Sequence, residues 1–478
     1  MPETQTNSPV GFSPELFVEI DPSDRRRLRA QLEQQLRRAI QDGRLSANTR
    51  LPASRMLARD LGVARTVVVH AYEQLVADGY LEARQGSGTR VRKIPSTPRR
   101  RMTPPAVRGW PTQFVGGLPD PATFPRAEWQ REYRDALAAL PDPKLGYPNP
   151  RGTSTLRRAL ASYLGRARGV QTSPDEIVVT TGFTQGLVLL CRVLRERNVT
   201  RIAVEEPCFA LHREAVAVAG LQPIPVGIDA NGMDTRRLPH LDVGAVLLAP
   251  AHSYPTGAVL SPRRRGELVQ WAADSGTLII EDDYDAEFRY DRLPIGALQG
   301  IGPDHVVYGG CASKTLNPAL RLGWLAAPNG LIAELVHHKL YDDMGSGLIE
   351  QLTLARFIES GGFARHVRRV RALYRQRRDA AIAAVLRYLP EARIQGAAAG
   401  LHLYLELPDC PNQSALLAAA RERGAQAEAA GRHWANPSAA PAGLILAYGA
   451  VTTQATSRSV RALAAAYRDC GRRARRGL

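Results

Sequence analysis

The residues best suited to covalent chemistry lie in the run Cys311-Ala312-Ser313-Lys314-Thr315-Leu316-Asn317-Pro318-Ala319-Leu320-Arg321-Leu322-Gly323. Lys314 stands among small and hydroxyl side chains, and Arg321 follows seven positions later. A lysine held in this way can form a Schiff base with an aldehyde, and an arginine can grip an anion in a bidentate fork. Ser-Lys-Thr alone is more often a surface lysine in a loop. The stretch Thr277-Leu278-Ile279-Ile280-Glu281-Asp282-Asp283-Tyr284 tips the balance, because it reads as a buried strand ending in acids and a tyrosine. Asp282 precedes Lys314 by 32 residues, room for one strand–loop–strand step. That step puts both at the C-terminal edge of an α/β sheet, where such sheets bind ligands. A lysine for an aldehyde and an acid for a pyridinium nitrogen are what pyridoxal 5'-phosphate asks of a protein.

The elements that must position these groups show as apolar runs. Ile177-Val178-Val179, Arg201-Ile202-Ala203-Val204, Ala245-Val246-Leu247-Leu248, Leu278-Ile279-Ile280 and Val306-Val307-Tyr308 alternate with helical patterns. This predicts a mainly parallel sheet covered by helices. Thr181-Gly182-Phe183-Thr184-Gln185-Gly186 follows a strand and opens a helix, so the amides of Phe183 and Thr184 aim at an anion such as phosphate. After Gly361 the pattern becomes a long helix, Arg365–Leu386, with seven arginines between positions 365 and 378, read as solvated or as dimer packing. A smaller α+β piece follows around Gly400–Leu405.

The N-terminal part has a different character. Leu28, Leu32, Leu36 and Ile40 recur every four residues and mark a helix ending near Asp42-Gly43. Ser54 is the expected N-cap of a second, short helix whose apolar face is Met56, Leu57 and Leu61. A third helix is expected from Arg65 to Ala77, burying Val68, Tyr72, Leu75 and Val76, with Gly79 as its stop. Tyr80–Ala83 and Thr89–Val91 read as two strands joined through Gln85-Gly86-Ser87-Gly88. Three helices and a hairpin make a winged helix-turn-helix, whose third helix enters the major groove of DNA. Charge supports this. The chain carries a net +17, and residues 1–108 hold 19 Lys+Arg against 11 Asp+Glu, a surplus of eight in under a quarter of the length. Lys93–Pro111, with five prolines and the run Pro98-Arg99-Arg100-Arg101, reads as a semi-extended tether.

Leu51-Pro52-Ala53-Ser54-Arg55, Leu61-Gly62-Val63-Ala64-Arg65-Thr66, Gly79-Tyr80-Leu81 and Gly86-Ser87-Gly88-Thr89 closely resemble the GntR-type motif. The lysine and acid segments resemble the fold-type I aminotransferases. Together, from about Leu28 to Ala465, the chain resembles the MocR/GabR-type transcriptional regulators of the GntR superfamily. The resemblance implies a winged helix-turn-helix at residues 15–93, a linker at 94–113 and an aminotransferase-like domain at 114–478, itself an α/β large domain with a small C-terminal α+β domain. It implies pyridoxal 5'-phosphate on Lys314, Asp282 against the ring nitrogen, Tyr284 at the ring hydroxyl and Phe209 stacked on the ring. Phe183, Thr184 and Arg321 would form the phosphate cup, and Tyr147 would reach a neighbouring subunit's phosphate. Arg432, in Gly431-Arg432-His433-Trp434, would take an effector carboxylate. Arg55, Arg65, Thr66, Gln85 and Gly86 would touch DNA. The expected protein is a homodimer, possibly domain-swapped. It would bind a double-stranded operator and sense a small amine, an amino acid or the cofactor. The alternative is an active aminotransferase carrying a DNA-binding module.

Three positions depart from the pattern: Ala53 and Cys311 replace hydroxyl residues, and Tyr254, before Pro255-Thr256-Gly257, replaces the asparagine of true aminotransferases. MocR/GabR-type regulators also tend to have an aromatic there, which argues for sensing over catalysis. Hydrophobic residues at 44% and charged residues at 23% are ordinary for a soluble protein. No apolar run reaches the ~20 residues of a membrane helix, and the polar Met1–Pro14 is not a signal peptide. Five scattered cysteines without metal-ligand spacing fit a reducing cytoplasm, with no metal site expected.

Overall fold

The computed structural model describes residues 11–13, 18–21, 24, 27–84, 88–93, 117–290, 295–408, 413–425 and 427–475. The chain divides into two compact units, Met1–Gly109 and Trp110–Leu478. The linker at 94–113 lies outside the described residues, as do Gln85 and Gly86. Among the described residues no helix is long and apolar enough to cross a membrane, and no cluster of His, Cys, Asp or Glu could hold a metal.

In the first unit, β1 (Gly11–Ser13) pairs antiparallel with β2 (Val18–Ile20). Three helices follow: α1 (Leu28–Gln41), α2 (Ser54–Asp60) and α3 (Arg65–Ala77). A hairpin of β3 (Leu81–Arg84) and β4 (Gly88–Val91) pairs Leu81 with Val91. Leu32, Leu36, Leu57, Val68, Leu75 and Val91 close one core, each large side chain contributing about 1.5–3 kcal/mol by leaving water. Gly79, at φ +78°, makes the left-handed turn after α3. Two expectations for the apolar faces are corrected. Met56 is 60% exposed and Val76 is also exposed. Each neighbours a buried leucine, and one residue along a helix is about 100° around it. The N-cap expectation is corrected too: α2 already includes Ser54, so Ala53 occupies the cap and supplies no side-chain bond.

The second unit is built on an eight-stranded sheet in the order β5-β12-β11-β10-β9-β6-β7-β8. The strands are β5 (Ile177–Thr180), β6 (Arg201–Glu206), β7 (Gln222–Asp229), β8 (Gly232–Met233), β9 (Ala245–Leu248), β10 (Leu278–Asp282), β11 (Val306–Cys311) and β12 (Gly323–Ala326). β11, β10, β9, β6 and β7 run parallel; β12 lies antiparallel between β11 and β5. β5, β6, β9, β10 and β11 therefore end at the edge where β12 begins. The five apolar runs read from sequence are these five strands. β7 escaped because Pro223 and Pro225 contradict a strand; they are tolerated because β8 pairs only with Ile228 and Asp229.

The small domain is a four-stranded antiparallel sheet, β13 (Arg393–Gln395), β14 (His402–Glu406), β16 (Gly443–Ala447) and β15 (Glu428–Ala429). The long helix spans Gly362–Tyr388. Its arginines are not all solvated. Arg377 and Arg378 are buried; the first meets Asp120 at 2.7 Å, and the second donates to the Ala397 carbonyl at 3.0 Å and lies over the Tyr290 ring at 4.8 Å.

Candidate functional site

Alternation along the end of β10 sorts its acids. Glu281 and Asp283 face inward to structural partners. Glu281 accepts from the amides of Leu298 and Gln299 at 2.7 and 2.9 Å. Asp283 takes a bidentate bond from buried Arg168, at 2.7 and 3.0 Å, and one from the Tyr308 hydroxyl at 2.8 Å. Asp282 and Tyr284 face the other way and line a cavity of about 150 Å³ with Lys314, Arg321, Phe183, Thr184 and Phe209. Seven of the residues expected to hold the cofactor are thus brought together. Tyr147 is not among them: it is 85% exposed, in a separate depression beside Pro148 and Leu352.

The loop carrying Lys314 is fixed by its own backbone. Ala312 donates to the Leu322 carbonyl at 2.9 Å, and His366 Nε2 bonds the Thr315 carbonyl at 2.8 Å. Burial pulls the Lys314 amine below its ordinary pKa. Burial, then the neighbouring Asp283 and Asp285, pushes the Asp282 carboxyl well above the usual range. Asp282 Oδ1 is buried without a hydrogen-bond partner, and Oδ2 lies 3.7 Å from His212 Nδ1. Lys314, in the same cavity, offsets this only in part.

The phosphate end depends on a close approach. The helix Phe183–Glu196 starts after Gly182, at φ +129°. A Cβ at Gly182 would stand 3.0 Å from Arg321 Nη2 and would strain the backbone at that φ, so glycine suits the close approach of the guanidinium to the helix start. Gly323 approaches Gly182 equally closely, its own Cβ falling 2.7 Å from Gly182 Cα. Among the described residues Arg321 makes no ion pair. A guanidinium beside helix-start amides is chemically suited to an anion.

Several site residues were not read from sequence. Glu205, at the end of β6, lines the cavity, accepts from the Ala249 amide at 3.0 Å and is raised by burial to about 7. His212 lies with ring centroids 5.0 and 5.1 Å from Phe183 and Phe209, and is lowered to about 4 by burial and then by Lys314. Its one signal is its place three residues after Phe209. Tyr254, singled out in the sequence for replacing an asparagine, also lines the cavity and is buried with its hydroxyl unpartnered. Gly117 packs where a Cβ would lie 3.7 Å from Lys314 Nζ. Arg432 stands outside the cavity: its side chain is 45% exposed and 3.4 Å from Glu428. The main chain around it is docked, because Arg213 donates to the carbonyls of Arg432, His433 and Trp434.

In the first unit Arg55, Arg65 and Thr66 are exposed at the starts of α2 and α3. Arg65 Nε lies 3.4 Å from Ser54 Oγ, which ties the two helix starts together.

Residues 28–91 match the family described as bacterial regulatory proteins, gntR family, and residues 120–379 match aminotransferase class I and II. The HTH-type pyridoxine biosynthesis transcriptional regulator PdxR of Corynebacterium glutamicum is 33% identical over 444 residues, 91% of this chain and 95% of its own length. The probable rhizopine catabolism regulatory protein MocR of Rhizobium meliloti is 30% identical over 464 residues, covering 91% and 93%. The chain belongs to the MocR/GabR-type transcriptional regulators. Its second unit also resembles the Pyrococcus horikoshii kynurenine aminotransferase, solved in complex with PMP, at TM-score 0.69 and 25% identity over 74% of this chain and 90% of that one. A MocR/GabR-type regulator therefore combines a GntR-type DNA-binding module with an aminotransferase-like domain, and the site lies in the latter.

Proposed function

We propose that this regulator binds pyridoxal 5'-phosphate at Lys314, binds a double-stranded DNA operator through its winged helix, and alters that binding when a small amine, an amino acid or the cofactor itself fills the site. The observation that carries the reading is the buried Asp282 carboxyl, which has no partner for Oδ1 and shares its cavity with the Lys314 amine. A cationic ring nitrogen supplies the missing charge. The unpaired Arg321 over Gly182 fits the phosphate, so the residues present suit the group.

When bound, the cofactor supplies an aldehyde carbon to amines and an electron-withdrawing ring. Lys314 is the nucleophile, its proton affinity lowered by burial. Asp282 would hold the ring proton. Arg321 and the amides of Phe183 and Thr184 would hold phosphate, Phe209 would cover the ring, and Tyr284 would donate to its hydroxyl. Arg432 is proposed to take an effector carboxylate. A ligand shifts DNA binding only through unequal affinity for two conformations. A two-fold homodimer, with Tyr147 reaching the partner's phosphate, presents two winged helices to repeated half-sites. A second reading, a working aminotransferase, draws on the retained lysine, acid and arginine; the buried Tyr254 in place of asparagine favours sensing.

Protein purified with pyridoxal 5'-phosphate should show a visible absorption band. Lys314→Ala should lose it while keeping its circular dichroism. A borohydride-reducible adduct in that variant would sink the assignment.

A further inference from the structure

We infer that Asp285 and His252 form a positioning pair that fixes the direction in which the Tyr284 hydroxyl donates, turning its proton into the Lys314 cavity and toward the ring hydroxyl of the cofactor. The inference rests on the cofactor reading above. It concerns two residues that do not line the cavity.

His252 and Asp285 are both 2% exposed. One atom, His252 Nδ1, lies 2.8 Å from Asp285 Oδ2 and 3.0 Å from the Tyr284 hydroxyl. A ring nitrogen carries either a proton or a lone pair, and a carboxylate only accepts. Asp285 therefore selects the tautomer with the proton on Nδ1. That nitrogen then has no lone pair for the phenol, and Tyr284 can approach it only through oxygen. The Asp285 carboxylate is also within reach of the phenol, but the Nδ1 proton already engages its Oδ2, which leaves the cavity side of Tyr284 for the phenol proton. Without the carboxylate the other tautomer becomes available, and Nδ1 would draw the phenol proton out of the site. Burial, then Asp285 and Asp282, pushes the Tyr284 phenol well above its ordinary pKa, so it remains a donor.

The pair is held from several sides. A Cβ at Gly400, φ +80°, would collide with the His252 ring and stand 2.7 Å from Asp285 Oδ2; one at Gly257 would stand 2.8 Å from His252 Nε2. The Gly400 carbonyl is pinned by the hydroxyls of Tyr290 and Tyr448 at 2.7 and 2.6 Å. The other charged or titratable groups facing His252 are His402, with ring centroids 5.6 Å apart, and Arg168 and Arg289, which share a small depression with it. Arg168 is engaged by Asp283.

The test uses the full-length protein reconstituted with pyridoxal 5'-phosphate and reads the pH midpoint of the visible band. A donor on the ring hydroxyl makes that oxygen a weaker acceptor for the adjacent protonated nitrogen, so losing it raises the midpoint. Tyr284→Phe sets the reference shift. His252→Gln, which leaves the Asp285 charge in place but frees its carboxylate to take the phenol proton, should move the midpoint the same way by about half to one pH unit, the size of one hydrogen bond. Added to Tyr284→Phe, it should move the midpoint hardly further. Equal shifts in the two backgrounds, or none in the wild-type background, would overturn the pair. His252→Asn gives the same reading should His252→Gln fold poorly; Asp285→Asn is unsuited, because it also removes a charge that raises the Lys314 amine. A wild type with no visible band overturns the cofactor reading and the pair together, whereas a normal band with an unmoved midpoint overturns the pair alone.

Discussion

Asp282→Asn should pull stability and cofactor affinity in opposite directions. Without cofactor, Asp282 is a buried acid with one oxygen unpartnered and its pKa raised by burial and two neighbouring acids. A carboxyl raised in the folded state contributes stability that is fully present below its unfolded value, ~4. That stability is lost as pH rises through the folded value. An amide of the same shape does not titrate. At pH 8 the cofactor-free variant should therefore be more stable than wild type by about 1–3 kcal/mol, the cost of an unsatisfied buried group. The gap should close at pH 4. With cofactor the sign reverses. The variant cannot balance the ring charge, and losing one partner of a buried pair costs about 3–5 kcal/mol, roughly 10²–10⁴-fold in affinity. Thermal denaturation at the two pH values, followed by cofactor titration on the visible band, measures both arms. A variant no more stable than wild type at pH 8, or one that binds cofactor equally well, would refute the reasoning.

Arg65→Ala should remove the preference for operator over random DNA, by about 1–3 kcal/mol per lost base contact. Titration on both duplexes at several salt concentrations checks this, and equal losses on the two would reject a base-reading role. Arg432→Ala should abolish the response of operator binding to a panel of amino acids while the visible band stays intact; a full response would remove Arg432 from effector binding. Sedimentation should find a dimer at micromolar concentration with cofactor bound, and a persistent monomer would count against the two-fold arrangement.

Much of this protein could be read in one dimension. The site strands are continuous apolar runs, because strands buried on both faces leave no room for polar alternation. Lys314 and Asp282 were found through chemistry: few residue pairs meet an aldehyde and a pyridinium at once. The period of the first unit's helices located its core, although Met56 and Val76 fell outside apolar faces that were read one residue too wide. Periodicity locates a stripe, not its edge. β12 escaped because four residues beginning with glycine carry almost no strand signal, yet it brings Gly323 against Gly182 and so seats Arg321.

What the sequence determined by itself is local: apolar period, turn glycines, charge surplus, and the order of lysine, acid and arginine along the chain. The tertiary structure decided what the two acids flanking Asp282 bind, and that Glu205 and His212 join the cavity. It also set Arg432 outside the cavity and placed His252 and Asp285 behind Tyr284. These outcomes depend on burial and on contacts between residues far apart in sequence. The cost of an unpaired charge exists only once other strands and helices have excluded water from it.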